Sequence, residues 1–401
     1  MRPLPPAGAP GSRRARRSVP HPRHRRGAAP SPPPRLVDSN LLRWYAPGNQ
    51  FYDTIPMKTD HQRTSHSLPT LLAAVLLSFL IAILFPKSNS EQQDLPPPDL
   101  GGITVATWNM EWFPSGNPEP QAPSFEKRQI KTAGKILRET RVPDILIAEE
   151  IRDRETCDKL VKQIRDSDFK CDVCSDFMYT PTNRGLQQVA IFSRYPTVKK
   201  GAVPFHFRNG VFPPRGFAWA VFDINGAYLA VYALHLKSNY IPEELDPAVV
   251  GPQNVQKREE AVRQILAHAK RLCNRGVNGK KIDGVIIAGD FNTSLEDSRF
   301  AGEMTCTLLL DAGFKDAFEG VPTEQRTTLP ANDFYPPAIF DRLYALGFDP
   351  PLGRLILPQT EVSDHCPVYV VWPIPPAGQT VAPIEKDQSE NTSEIPLPNA
   401  A

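Results

Sequence analysis

Polar side chains able to do chemistry recur at the ends of apolar runs in this chain. Asn109 follows Ile-Thr-Val-Ala-Thr-Trp, Glu149-Glu150 follow Asp-Ile-Leu-Ile-Ala, and His235 follows Tyr-Leu-Ala-Val-Tyr-Ala-Leu. Asp290-Phe291-Asn292 close Gly-Val-Ile-Ile-Ala-Gly, Asp341 closes Ala-Ile-Phe, and Ser363-Asp364-His365 stand just before Pro-Val-Tyr-Val-Val. Taken singly, each has an ordinary structural reading: Asn109 as a turn residue, Glu150 as a solvated strand-end carboxylate, His235 as a core histidine, Asp290 and Asn292 as an Asx turn, Asp341 as a partner for Arg342, Asp364-His365 as a loop pair. Taken together they supply the carboxylates of Glu150, Asp290, Asp341 and Asp364, the imidazoles of His235 and His365, and the amides of Asn109 and Asn292. Such an oxygen-rich set suits Mg2+, Mn2+ or Ca2+ better than Zn2+. A carboxylate beside an imidazole is the minimal acid/base element, and a hard cation with a histidine implies phosphoryl chemistry.

Positioning these groups requires strands that end on them. β-rich apolar runs predict strands at 103–108, 144–148, 188–193, 218–224, 227–235, 284–288, 339–346 and 367–371. Ser124, as a cap, opens a predicted helix to Glu139, and Val255, Val262, Ile265, Leu266 and Ala269 recur at helical spacing in a second, 255–272. The alternation reads as a mixed α/β domain over 101–375, about 275 residues and enough for one large core.

The ends of the chain are different. Residues 1–66 hold 12 Lys/Arg against 3 Asp/Glu, a net of +9, in a Pro/Arg-rich head that reads as disordered. Residues 101–375 hold 32 basic and 34 acidic residues, so the domain lacks a broad basic footprint. Leu68 to Phe85 is uncharged and apolar, and 67–86 reads as a signal-anchor or a signal peptide. The basic head in front of it places the N-terminus inside and everything after residue 86 outside the cytoplasm, membrane-anchored or secreted after cleavage. Met57 opens a complete export signal of its own, which leaves 1–56 as a head or as a false start. Residues 87–100 read as a linker and 376–401 as a structureless tail. Six cysteines allow up to three bridges in an oxidising compartment; the Cys171-Asp172-Val173-Cys174 spacing suits zinc or redox chemistry, but no second such pair exists.

The ordered series Trp108-Asn109-Met110, Asp144 to Glu150, Ala190 to Pro196, His235-Leu236-Lys237-Ser238, Gly289-Asp290-Phe291-Asn292, Asp341 and Ser363 to Val368 resembles the endonuclease/exonuclease/phosphatase superfamily across 103–372. The resemblance implies a four-layer α/β sandwich, two packed mixed β-sheets flanked by helices, with the site at one rim. It implies Glu150 as principal metal ligand with Asn109 and Asp364 near the cation, Mg2+ first among candidates. It implies His365 as base or transition-state stabiliser oriented by Asp341, Asp290 and Asn292 positioning water and phosphate, and His235 donating to the phosphate or leaving oxygen. The family's Gln before the ligand Glu is here Glu149, which leaves open which carboxylate ligates. The His-Leu-Lys-Ser stretch is similar to that of bacterial extracellular nucleases, with Lys237 as a phosphate contact, so nucleic acid is the favoured substrate. A lipid, inositol or other small phosphoester and a catalytically silent interaction module are the alternatives. Arg184, Gln188 and the stretch Arg208 to Arg215 are candidate substrate contacts, and the acidic loop 239–253 is placed to overhang the site. A monomer is expected, with no protein partner evident.

Overall fold

The computed structural model describes residues 101–180, 183–332, 335–379 and 381–384, without the side chains of 179–184. The basic head, the apolar segment 68–85, the linker 87–100 and residues 385–401 lie outside the described residues, and so does the side chain of Arg184. Among the described residues no helix is long and apolar enough to cross a membrane.

The chain runs β1 (Gly102–Phe113), α1 (Pro123–Thr140), β2 (Ile145–Ile151), α2 (Arg154–Ile164), β3 (Lys170–Cys174), β4 (Met178–Thr180), β5 (Asn183–Arg184), β6 (Gln188–Ser193), β7 (Thr197–Pro204), β8 (Gly216–Ile224), β9 (Ala227–His235), α3 (Pro247–Arg275), β10 (Gly284–Asp290), α4 (Thr307–Asp311), β11 (Lys315–Asp316), β12 (Asp341–Leu346), β13 (Gly353–Ile356) and β14 (Val368–Pro373). Two six-stranded mixed sheets result, ordered β13-β14-β1-β2-β6-β3 and β11-β12-β10-β9-β8-β7.

Strand periodicity explains the layers, because successive side chains leave opposite faces of a sheet. Ile103, Val105, Ile145 and Ile147 point between the sheets, where they meet Ala218, Ala220, Val231, Ile286 and Leu343. Their alternates Ala106, Trp108, Leu146 and Ala148 face outward under α1 and α2. On the other sheet Tyr232, Leu234, Val285 and Ile287 face α3 and α4. Three apolar interfaces thus separate four layers, the sandwich expected from the sequence, and each fully buried Leu, Ile or Phe adds about 1.5–3 kcal/mol of burial free energy.

Several boundaries differ from expectation. Helix α1 starts at Pro123 with Ala122 as N-cap, so Ser124 lies inside the helix instead of capping it. Helix α3 begins eight residues early, capped by Asp246, whose carboxylate accepts from the Ala248 N–H, and with Pro247 in its first turn. That Pro fits a position whose N–H has no helical partner. Residues 247–253 of the anticipated overhanging loop are therefore helix. Past Pro375 the chain stays packed: Val381 and Ile384 join the core beside α3, and the Gln379 amide donates to the carbonyls of Asp283 and Gly347, both at 2.6 Å.

Candidate active site

β1 and β2 are parallel, as are β9 and β10, with α1 and α3 as their crossovers. The C-terminal ends of each pair consequently emerge together, and β12 and β14, antiparallel to β10 and β1, start at the same end. Register does the rest: Asn109 lies opposite Glu149, and Asp290 sits between His235 and Asp341. Asn109 Nδ2 donates to Glu150 Oε1 in its own sheet (3.2 Å) and to Asp290 Oδ2 of the other sheet (2.9 Å). His235 Nε2 is 3.7 Å from both of those carboxylate oxygens. His365 Nδ1 meets Asp341 Oδ2 at 2.7 Å, and its Nε2 lies 3.9 Å from Asp290 Oδ2.

The backbone is bent to deliver these groups. Glu111, Trp112, Glu150 and Asn292 have φ of 48°, 47°, 58° and 53°, the left-handed region that side chains other than glycine seldom occupy. The bend after Asn109 turns the Glu111 N–H onto Asn109 Oδ1 (3.1 Å) and the Trp112 N–H onto Glu150 Oε2 (3.0 Å). The bend at Asn292 closes an Asx turn on Asp290 Oδ1 (2.8 Å). The Ser363 hydroxyl donates to the Asn109 carbonyl at 2.7 Å and accepts from the His365 N–H, which locks the last motif to β1.

Burial and charge push the titratable groups apart. Burial alone would lower the His365 pKa, but Asp341, then Asp290 and Asp364, outweigh it and hold the ring well above its ordinary value. His235 goes the other way, pulled well down by burial and by the charges of Arg215 and His365. Burial lifts Asp290 to about 7, and burial with the neighbouring Asp364 lifts Glu111 to about 7. Lys237 falls to about 7 through burial and the charges of Arg215, Lys257 and Arg258. Oppositely shifted imidazoles around one carboxylate are the signature of divided acid and base roles.

The structure thus brings Asn109, Glu150, His235, Asp290, Asn292, Asp341, Asp364 and His365 to one rim. It also separates the two candidate ligating carboxylates. Glu149 is wholly enclosed between the sheets with Oε1 on the Thr107 hydroxyl (2.8 Å), whereas Glu150 opens on the cleft. Other expectations change. Asn109 meets Glu150 through its amide nitrogen, its oxygen being turned to Glu111, so it holds the carboxylates together as much as it offers a ligand atom. Asn292 directs its amide to the Leu236 carbonyl (3.3 Å), and Lys237 Nζ lies on Ser238 (2.9 Å to the carbonyl). Gln188 is no substrate contact: it is buried and ties Ser175, Phe177 and Gly185 together. Arg215 supports the His235 strand end, donating to the Leu236 carbonyl (3.0 Å) and Gln187 Oε1 (2.7 Å).

Glu111 was not foreseen. Its Oε2 accepts from the Asp364 N–H at 3.0 Å, which puts a further carboxylate beside Asp364 and Glu150. The available signal was its place directly after Trp108-Asn109-Met110. Trp108 and Thr328 were also missed: the indole donates to the His365 carbonyl (3.3 Å), and the Thr328 hydroxyl accepts from the Phe340 and Asp341 N–H groups.

Among the described residues no lysine or arginine is ion-paired with Glu111, Glu150, Asp290 or Asp364, and ligand atoms of Asp290, Asp341 and His365 lie within 4.8 Å of one another. A concentration of oxygen donors without a balancing protein cation fits a hard divalent ion. Two packed mixed sheets with such a rim define a phosphoesterase of the DNase I-like type. The chain belongs to the Endonuclease/Exonuclease/phosphatase family, whose model matches residues 106–365, and enzymes of this family use divalent metals. Among solved structures it is similar to truncated Caenorhabditis elegans TDP2, at 18% identity over 68% of this chain and 97% of that chain, TM-score 0.47. It is also similar to an endonuclease/exonuclease/phosphatase from Beutenbergia cavernae (17%, 69% and 72%, TM-score 0.48) and to the human Nocturnin catalytic domain with bound sulfate anion (17%, 70% and 97%, TM-score 0.48). No curated protein matches the chain.

Proposed function

We propose that this phosphoesterase is a divalent-metal-dependent nuclease that hydrolyses phosphodiester bonds outside the cytoplasm. The observation that carries the hydrolytic reading is the placing of Asp290 between two imidazoles, with Glu150 across the cleft. Glu150 and Asp364, with Glu111 and Asn109 alongside, would hold a hard cation, which when bound would neutralise charge on the phosphoryl oxygens. His365 has Nδ1 committed to Asp341, which leaves Nε2 to donate to an oxygen that gains charge in the transition state. Asp290, fixed by Asn109 and the Asx turn, orients the attacking water. His235, enclosed beside it, faces the same phosphate and serves the leaving oxygen.

Support for a nucleic acid substrate comes from the rim beside His235. Residues 205–215 form a hairpin closed by the Arg208–Val211 bridge, and Arg215 at its base holds the His235 strand end. Phe207 (69%) and Phe212 (53%) stand exposed on either side of Arg208 and Val211. Exposed rings with the half-buried Arg208 between them suit stacked bases and their phosphates. The apolar segment 68–85 supports export.

The deciding experiment compares the full chain on single- and double-stranded DNA, RNA, sphingomyelin, inositol phosphates and an aryl phosphodiester with added Mg2+ or Mn2+. A polynucleotide is expected to give the highest kcat/KM, and F207A/F212A to lower it about tenfold or more while leaving the aryl diester unaffected. Highest kcat/KM on a lipid or inositol substrate refutes the nuclease reading.

A further inference from the structure

Away from the catalytic rim, half of the cysteines gather at the outer edge of the first sheet. Edge strand β3 pairs with β6 with a register shift between Cys171 and Val173. In a regular strand, residues three apart face opposite sides; an extra bulged residue restores them to one side. Val173 accordingly enters the core between the sheets, while Cys171 and Cys174 both pack in the layer beneath α2. Cys157, on the buried face of α2 with Leu160 and Ile164, arrives there from the other side. The three thiols share that layer, and those of Cys171 and Cys174 lie near enough to Cys157 to add to the burial that pushes its pKa well up. The three sulfurs do not all fall within 4.8 Å of one another, since the metal-sized group among the described residues is Asp290, Asp341 and His365. Cys157 is therefore the middle of a row, an arrangement suited to a two-centre bond and not to a shared ion.

We propose that Cys157 is a disulfide-forming residue that bonds to Cys174 or, by exchange, to Cys171, stapling α2 to the edge strand β3 when the domain meets an oxidising compartment. The oxidant is a small-molecule or enzyme-borne disulfide. Cys174, half-buried where the other two are buried, is the entry thiol. As thiolate it attacks one oxidant sulfur, breaking that S–S bond, and releases one oxidant thiol. Cys157 then attacks the Cys174 sulfur, breaks the mixed disulfide and releases the second thiol. The two protein sulfurs lose two electrons to the oxidant, and their two protons end on its released thiols. Burial and the neighbouring thiols of Cys171 and Cys174 hold the Cys157 thiol well above its ordinary pKa, so it serves as the second, resolving thiol and not as the entry one. Exchange to Cys171 is attack of its sulfur on the Cys157 sulfur, which breaks the Cys157–Cys174 bond and releases Cys174, the proton given up by Cys171 ending on the Cys174 thiol. α2 starts three residues past Ile151, so the staple fixes the segment that leaves the Glu150 strand. It is independent of the substrate and metal readings above.

The test is disulfide mapping of the full chain, refolded in a mixed oxidised and reduced glutathione buffer, acid-quenched, alkylated under denaturing conditions and digested without reduction. One intramolecular bond is expected from Cys157 to the peptide that holds Cys171 and Cys174. C171S and C174S should each keep a bond from Cys157, and C171S/C174S should lose it. Reduction should lower the Tm of the wild type and of both single variants by about 6–12 °C, and leave C157S unmoved. Full alkylation of Cys157 in the oxidised protein overturns the proposal, as does a bond that joins Cys171 to Cys174 or Cys157 to Cys273, Cys306 or Cys366. Because mapping is done on the wild type, poor folding of a variant does not rescue it.

Discussion

Asp341→Asn separates charge from shape at the centre of the site. The Asp341 side chain is wholly buried, and its Oδ2 holds His365 Nδ1 at 2.7 Å. Asparagine keeps the volume and an oxygen acceptor but removes the negative charge. Two unit charges about 4 Å apart, centre to centre, at an effective dielectric of about 20 interact by roughly 4 kcal/mol. At about 1.4 kcal/mol per tenfold change, a transition state that relies on a charged, oriented His365 loses up to about a thousandfold in kcat. Stability should move differently. Asp341 also repels Glu149 and Asp290, raising both, and its Oδ1 has no partner. Removing its charge relieves that repulsion while giving up the pairing with His365, which can shed its proton, so the Tm should stay within a few degrees of wild type. The assay is steady-state hydrolysis of an aryl phosphodiester with saturating Mg2+, alongside thermal unfolding. A kcat within threefold of wild type sinks the reasoning, and so does a loss that merely tracks a lower Tm.

Other perturbations probe neighbouring parts of the site and core. Glu149→Gln should keep activity within a few fold at neutral pH and leave the Tm equal or higher, because burial and the charge of Asp341 hold Glu149 well above the ordinary carboxyl range and its Oε2 has no partner; a hundredfold loss of kcat would show that its negative charge is used. Exhaustive chelation should abolish turnover, with Mg2+ or Mn2+ restoring the wild type and not Glu150→Ala; full activity in chelator refutes metal dependence. His268 is buried, bonded through Nδ1 to the Tyr232 hydroxyl, and burial with Arg271 and Lys199 lowers its pKa from 6.5 to about 3. The unfolded chain takes up that proton first as pH falls below 6.5, so the stability contributed is full above that value and is lost towards 3. At pH 5 the loss is about 2 kcal/mol, or about 4–8 °C in Tm, and His268→Leu should flatten this part of the Tm profile. An unchanged profile in that variant excludes His268 as the source.

The residues that the fold gathers at one rim were more legible in the sequence than the limits of the elements around them, for a physical reason. Most of the rim side chains border a largely apolar run, and such a run has few other ways to be satisfied than as a buried strand. Strands β9 and β6 match their expected limits, Ala227–His235 and Gln188–Ser193. Elements that bury little leave no such trace. α2 hides only Thr156, Cys157, Leu160 and Ile164 among seven other residues, and β7 is an edge strand whose residues are mostly half-buried or exposed. The start of α3 was obscured because Pro247 and Pro252 read as breakers, although the first is accommodated by the N-terminus. Glu111 was invisible because a positive φ, not a periodicity, carries its carboxylate into the cleft.

The neighbours Glu149 and Glu150 show how far backbone geometry decides chemistry. Strand alternation continues from Ile145 and Ile147 to Glu149 and aims it between the sheets, a place that accepts a carboxyl only if the facing strand makes room. Gly289 on β10 makes that room: a Cβ there would meet the Leu234 carbonyl oxygen at 2.0 Å and Glu149 Oε1 at 3.1 Å. Alternation would send Glu150 outward under the helices, but its φ of 58° breaks the pattern and returns the carboxylate to Asn109, Trp112 and His235. One glutamate is thereby enclosed, its pKa held well up by burial and Asp341, and the next is left facing the cleft. Straightening the backbone at Glu150 would withdraw its carboxylate from Asn109, Trp112 and His235 without changing a single residue type. Sequence motifs pointed to the pair, while which of its members faces the cleft is decided by a bulge, a left-handed turn and a glycine on the opposite sheet.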